Sequence, residues 1–459
     1  MKADRTLALF AGLLGSCATP FSHEPTYRPA PLSRETAPLE PAAPTPPRPE
    51  GDPSLSRAEC IEFALRNHRS IRIADRRILI ARDQVDEKFG LLFPRLSAEG
   101  RYESRNNDRG SSFGGNTFVT GDQGVGTAKV SLLVPIYDFG GALNEREAAR
   151  LEVDVAGLSA ARTRQDLILA VSQAYYRVLE ALRIQGVVEE SLKVVTRQIE
   201  IARDFRTQGI VAASDVLTAE VQEAERRQEL IRAGNNVELA RATLNRQMGR
   251  PVDAPLELQD VLEAPPWTGS FEAALRVAIE RRPDLAALKQ QVEIARAEFR
   301  ATRAGFFPKV YAFADFNHST DDFLLNQDWV VGGIAVQLPL FDGGSTVARL
   351  RQREKEIAEA VDLHDERADD VVLDLKRIYL LVREAVERVP VARKAIDLAE
   401  ENLRVVRDQY AQGLLTSADV LTEEDRLSRS RTNYYRALYE YHGAFARLSH
   451  ATGETPPEK

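Results

Sequence analysis

One stretch of this chain occurs twice, and it limits the fold more than any other feature. It reads Thr207-Gln-Gly-Ile-Val-Ala-Ala-Ser-Asp215-Val-Leu-Thr-Ala-Glu220, and again Ala411-Gln-Gly-Leu-Leu-Thr-Ser-Ala-Asp419-Val-Leu-Thr-Glu-Glu424. Gly209 and Gly413 are 204 residues apart, as are Asp215 and Asp419, and Leu217 and Leu421. Each copy ends a long helical pattern at a glycine, which tolerates left-handed backbone. Each restarts a helix after Ser/Thr and Asp (Ser214-Asp215, Ser417 to Asp419), whose oxygens can cap free N–H groups. The spacing predicts two turns between long antiparallel helices, a helical hairpin built twice.

The duplication extends upstream and downstream. Pro135 and Pro339 keep the same offset, in Leu132-Leu-Val-Pro-Ile-Tyr-Asp-Phe-Gly-Gly141 and Val336-Gln-Leu-Pro-Leu-Phe-Asp-Gly-Gly344, and so do Gly249 and Gly453. Further upstream the offset is 214, between Pro94 and Pro308, which predicts one longer loop between Pro94 and Pro135. After Pro94 and Pro308 the hydrophobic period changes to two. Leu96, Ala98, Gly100 and Tyr102 alternate with Ser97, Glu99, Arg101 and Glu103, and Val310, Ala312, Ala314 and Phe316 line one face. Before Pro135 and Pro339, Ala128, Val130, Leu132, Val134 and Gly332, Ile334, Val336, Leu338 do the same. These are four strands of roughly ten residues, long enough to cross a membrane at a tilt. A soluble half-buried sheet would alternate in the same way. In lipid the sheet must close, and one chain has too few strands, so the reading is a barrel pooled among subunits. The segment Asn106 to Asp122, rich in Gly, Asn, Asp and Ser, reads as a loop.

From Gly141 to about Arg206 and from Ser345 to about Tyr410 the pattern is helical, and 65 residues at 1.5 Å each make about 100 Å. Gly186 and Pro390 share the offset of 204 and mark matched heights at which these helices are expected to bend, more at the proline. Ser56-x-x-Glu59 reads as a capping box opening a short helix, and Cys60 on it reads as a packed thiol.

Composition closes off several classes. Charged residues make up 28% of the chain and mean hydropathy is -0.32, which excludes a polytopic helical membrane protein. The net charge of -8 disfavours nucleic acid as a partner. Two cysteines give no disulfide framework. Six histidines lack metal-ligand spacing, and no catalytic constellation or phosphate-binding loop is present, so neither an enzyme nor a cofactor is expected.

Lys2 and Arg5, the apolar run Leu7 to Leu14 and then Gly15-Ser16-Cys17 form a secretory signal too short to span a bilayer. Leu14-Gly15-Ser16-Cys17 resembles a bacterial lipobox, which would make Cys17 an acylated residue; an ordinary signal with an incidental cysteine is the alternative. Eleven of 23 prolines fall between Pro20 and Pro53, a tether without a core. The chain thus divides into a signal (1–16), an acylated Pro-rich tether (17–53), a first repeat (54–250), a linker (251–270), a second repeat (271–454) and a tail (455–459).

Helix pair, strand, strand, long helix, Gly–Asp turn and helix, all repeated, resemble the TolC-like outer-membrane efflux proteins over about residues 54 to 454. Phe93-Pro94 and Phe307-Pro308 open the strands, Pro135-Ile-Tyr-Asp-Phe-Gly-Gly141 and Pro339-Leu-Phe-Asp-Gly-Gly344 close them, and the Gly-x5-Asp-Val-Leu turns follow. The resemblance implies a mainly α fold with a β-barrel: a homotrimer in which four strands per chain make one twelve-stranded barrel in outer-membrane lipid. Duplicated hairpins would continue it as a periplasmic α-barrel, with 251–270 and the short helices as a belt. It implies an exit duct whose turns dock a periplasmic adaptor joined to an inner-membrane pump, with docking at Gly209, Ser214, Leu217, Gly413, Ser417 and Leu421. Asp215 and Asp419 match gate positions near the tip constriction, with Tyr410 beside them, although a helix cap explains the aspartates equally well. Leu415 stands where some members carry a basic partner, so their salt-bridged closure is not expected here. A periplasmic coiled-coil scaffold or adaptor without a channel is the competing reading; it would not need four alternating strands.

Overall fold

The structure is a computed structural model that describes residues 54–454 except Asp108 and Ile210. The signal, Cys17, the Pro-rich tether and residues 455–459 lie outside the described residues.

Helix α1 (Arg57–Asn67) begins where Ser56 and Glu59 form the expected capping box, each side chain bonding the other's backbone. Helix α2 (Arg69–Gly90) leads through Phe93-Pro94 into β1 (Arg95–Ser104). Strand β4 (Gly124–Tyr137) returns and passes into α3 (Gly141–Thr207), a helix of 67 residues that turns into α4 (Ala213–Met248). The second copy repeats this with α5 (Phe271–Arg281), α6 (Pro283–Ala304), β5 (Lys309–Ser319), β6 (Asp328–Gln337), α7 (Ser345–Ala411) and α8 (Ser417–Thr452).

The segment read as a plain loop is structured. It folds as a separate hairpin, β2 (Arg109–Phe113) and β3 (Asn116–Gly121), outside the main sheet. Gly114 and Gly115 take φ of 62° and 85°, the pair of positive values a tight two-residue hairpin turn requires. Short strands of Ser, Thr, Phe and Val flanked by glycine do not carry enough periodicity to stand out.

The main sheet is antiparallel in the order β1-β4-β5-β6. Its register sorts the side chains as the alternation predicts. Ala98 faces Val130, Val130 faces Phe316 and Phe316 faces Val330, so one side of the sheet is apolar across all four strands. On the other side Glu99 pairs with Lys129 and Lys129 with Asn317, and Lys129 reaches Asp315 at 3.0 Å. The apolar side is uncovered: Leu96, Val330 and Ile334 are each 71% exposed. In water an uncovered apolar face of this extent would drive association, whereas lipid solvates it. Among the described residues no helix is long and apolar enough to cross a membrane.

Each strand continues directly into a helix, and the helices keep the strands' order. Helix α2 packs on α3, α3 on α6 and α6 on α7, matching β1, β4, β5 and β6. Farther from the sheet α4 and α8 take over from α2 and α6, giving the order α4-α3-α8-α7. The change is made at the joints. Gly249 and Gly453 end α4 and α8 in left-handed conformation against the backbone between α1 and α2 and between α5 and α6, respectively. A belt lies on one side at this height. Cys60 and Ala64 of α1 pack on Leu167, Val171 and Tyr175 of α3 and Leu244 and Met248 of α4. Burial pushes the Cys60 thiol up to about 12, as befits a packing residue. The 251–270 segment joins this belt: Leu55 bridges Leu258, the Tyr175 hydroxyl donates to Gln259 O, and Tyr439 donates to Asp260 at 2.7 Å.

The strand-closing motif also has a structural cause. Asp138 accepts from the amides of Gly140 (3.0 Å) and Ala142 (2.6 Å), and Asp342 accepts from Gly344 (3.1 Å) and Thr346 (2.8 Å). The aspartates thus satisfy the first N–H groups of the two long helices, whose N-cap residues Gly140 and Gly344 have φ of 84° and 83°. Hydrogen bonds from Thr346 hold the Asp342 carboxyl below its usual range.

Candidate functional site at the turns between the long helices

Helix α3 stops at Gly209 and α7 at Gly413, with φ of 76° and 75°, as the glycine signal predicts. The restarts differ. In the second copy Thr416 is the N-cap: its hydroxyl accepts from the Asp419 amide, and Asp419 accepts from the Thr416 amide at 2.8 Å. This holds the Asp419 carboxyl below its ordinary value. In the first copy the equivalent N-cap is Ala212, and no side chain caps the helix. The expectation that oxygens cap both helices is therefore corrected for α4. A methyl group cannot accept a hydrogen bond, so Asp215 lacks the reciprocal cap of Asp419, and among the described residues its carboxylate accepts from the Ser214 hydroxyl, at 3.4 Å.

The structure brings Tyr410, Ser417 and Asp215 together and leaves Asp419 in its cap. Tyr410 is buried against Phe205, ring centroids 5.7 Å apart, within a cluster containing Leu403, Val420 and Leu427. Its hydroxyl is buried beside Gln198 and Ser417 without reaching ordinary hydrogen-bond geometry to either. Burial raises the phenol's pKa, and the charge of Asp215 raises it further. Gln198 on α3 donates to Ser417 on α8 at 3.3 Å, tying the two copies together inside the tip.

Sequence reasoning missed Glu424. It is 5% exposed and sits 3.1 Å from Arg407 on the adjoining α7. Burial raises its carboxyl above the ordinary value, opposed by Arg407 and Arg431. Val420, Glu424 and Leu427 step by four and three, so the helical period puts this acid on the apolar face, and that was the available signal. Around it Arg431 holds Glu190 of α3 at 2.8 Å and Glu400 of α7 at 2.9 Å, and Arg226 of α4 holds Asp425.

The paired docking positions are not equivalent. Leu421 is buried against Val195, Ile199 and Ala219, while Leu217 is 60% exposed on the outer helix α4. Pro94, Pro135, Pro308 and Pro339 sit at or beside strand ends, except that β4 runs through Pro135, with a register shift there. Gly186 and Pro390 lie inside α3 and α7, both of which run on as unbroken helix.

The chain is thus a sheet with one apolar face, continued strand by strand into a helical wall and built from two copies of one unit. The sequence model of the family described as "Outer membrane efflux protein" matches residues 60–250 and 274–454, one match in each repeat. The chain belongs to this family. It is 23% identical over 380 residues to the outer membrane protein TolC of Escherichia coli K12, covering 78% of this chain and 74% of that one. It is 26% identical over 345 residues to the alkaline protease secretion protein AprF of Pseudomonas aeruginosa, covering 71% and 69%. The toluene efflux pump outer membrane protein TtgC of Pseudomonas putida is 26% identical over 420 residues, covering 84% and 83%. The fold matches the outer membrane protein VceC of Vibrio cholerae with a TM-score of 0.74 at 21% identity, over 87% of this chain and 96% of that one. It matches the transmembrane channel CusC with a TM-score of 0.75 at 19% identity, over 87% and 92%. This family member is a TolC-like outer-membrane channel with a periplasmic helical tunnel, and the family's role is transport.

Proposed function

We propose that three copies of this chain assemble into one exit duct of an efflux or type I secretion system. The duct receives cargo from an inner-membrane pump through a periplasmic adaptor docked at the turns around Gly209 and Gly413. The carrying observation is that the sheet and the helical wall are open on the same two sides, at β1 and β6 and at α4 and α7. Open strand edges are untenable in lipid, and neighbours that pair β6 with β1 bring α7 to α4. Leu217 fits this reading: a neighbour's α7 would cover it as α3 covers Leu421. Residues Asp215 and Tyr410 form the constriction, and acylation of Cys17 adds a lipid anchor. A bend near Pro390, where the helix lacks one N–H, lets the wall taper; spin-label distances across Pro390 matching a straight rod would remove that element. A helical scaffold without a channel would have no use for the apolar sheet face. Native mass spectrometry in mild detergent tests the assembly: a trimer is expected, and a stable monomer overturns the proposal. Crosslinks placed at Leu217 and Leu414 identify the adaptor.

A further inference from the structure

At the height of the belt, the opposite side of the helical wall is concave and encloses about 1050 Å³. The helical period separates the two sides. On α3, Val171, Tyr175 and Val178 face the belt, while Gln173, Arg177 and Glu180 line the hollow. On α8, Tyr441 and Phe445 pack under Trp267 of the belt segment, while Arg436, Glu440 and Arg447 line the hollow. Helix α7 adds Glu384 and Arg388, so four arginines meet three glutamates there.

The pairing is unequal. Arg388 takes up Glu440 at 2.7 Å and Glu384 at 3.6 Å. Arg177 stands 3.8 Å from Glu180, and its side chain is 75% exposed against 17% for the acid, so the cation of this loose pair is the more open to solvent. Arg436 and Arg447 are exposed and close no salt bridge among the described residues, although Arg436 lies near enough to Glu180 to favour that acid's charged form. They lie eleven residues apart on one face of α8, about 16 Å along its axis. Helix α4, the counterpart of α8, has neutral Thr243 where α8 has Arg447, and its Arg232, the counterpart of Arg436, does not line the hollow, so the arginines of the band come from α3, α7 and α8.

We propose that this band is a binding site for anionic groups of the cargo, a carboxylate, phosphate or sulfonate held in passing by Arg436 and Arg447. The inference rests on the duct reading, which makes the concave side the lumen. In three copies six such arginines would surround one passage, and convergent like charges in a confined space raise the local concentration of counter-ions. Guanidinium suits this task because it pairs with oxyanions in a planar, bidentate way and stays charged at every working pH.

The test uses the full-length protein in planar bilayers, with a pyrene trisulfonate dye as blocker and spermine as cationic control. In R436Q/R447Q the half-blocking dye concentration should rise about tenfold, while spermine block and conductance in potassium chloride stay at wild-type values. R436K/R447K, which keeps the charge, should stay within about twofold of wild type. Dye block unchanged in the Gln variant, or lost equally in the Lys variant, overturns the inference while leaving the channel intact. A wild-type chain without conductance overturns the duct reading itself.

Discussion

Gly453 meets the joint between α5 and α6 so closely that a methyl group on its α-carbon would lie 2.8 Å from the carbonyl oxygen of Arg281. The obstruction is backbone and cannot swing away, and the residue's φ of +73° already disfavours a side chain. Gly453→Ala should therefore cost about 3 kcal/mol. Gly249→Ala, whose methyl would lie 3.2 Å from Asn67 O, should cost less. Thermal unfolding of the two variants in detergent gives the order, and equal loss in both would contradict the clash argument.

The two turns should differ in firmness. Thr416→Ala removes an N-cap and should cost about 1 kcal/mol, while Ala212→Thr should gain about half as much by giving Asp215 the partner Asp419 already has. Hydrogen exchange of the first-turn amides of α4 and α8 reads both changes locally. The Asp419 contribution is full above the carboxylate's ordinary 3.8 and is lost as pH falls through its lowered folded value.

Glu424 carries the opposite sign. Its folded value is raised, so its favourable contribution is complete below 4.5 and lost as pH rises through the raised value. On acidification it should protonate before the exposed carboxylates and release Arg407. Single-channel conductance is expected to change with a midpoint above 4.5, and Glu424→Gln should flatten that response. An identical acid response in the Gln variant would assign it elsewhere.

Asp215 and Asp419 should separate in their effects on ion preference. Asp419 is committed to Thr416, whereas Asp215 is free of a cap and faces the surroundings of Tyr410. Asp215→Asn should weaken cation preference by roughly twofold in reversal-potential ratio, with little loss of stability. Asp419→Asn should act mainly on hydrogen exchange at the turn. Unchanged selectivity in the double Asn variant would show that neither carboxylate faces the pore.

The helices were legible because every signal was written twice, and agreement at one offset fixed their ends to within a few residues, as at Thr207 and Ala411. The strand faces were legible because apolar residues recur at every second position of β1, β4, β5 and β6, even where β5 and β6 also carry Tyr311, Phe313, Trp329 and Val331 on the other face. The β2–β3 hairpin was not, since its pairs are short and polar. At the tip, the glycines were readable from chemistry that is local to each turn. The missing cap at Ala212 was visible as an alanine where the other copy has threonine, but the shared Asp-Val-Leu concealed it. The Gln198–Ser417 bond and the Glu424–Arg407 pair join residues 219 and 17 positions apart, respectively, on different helices, so only packing reveals them.

The shared order of strands and helices has a consequence for biogenesis. A subunit that docks edge to edge in the sheet brings its helices to the same neighbour in one motion, because no crossing intervenes between β4 and α3 or between β6 and α7. Sealing against lipid and sealing against the periplasm are then a single cooperative event. An incomplete ring would leave both gaps along one continuous slit rather than as two separate defects, and whatever recognises stalled assemblies would need to recognise only that slit.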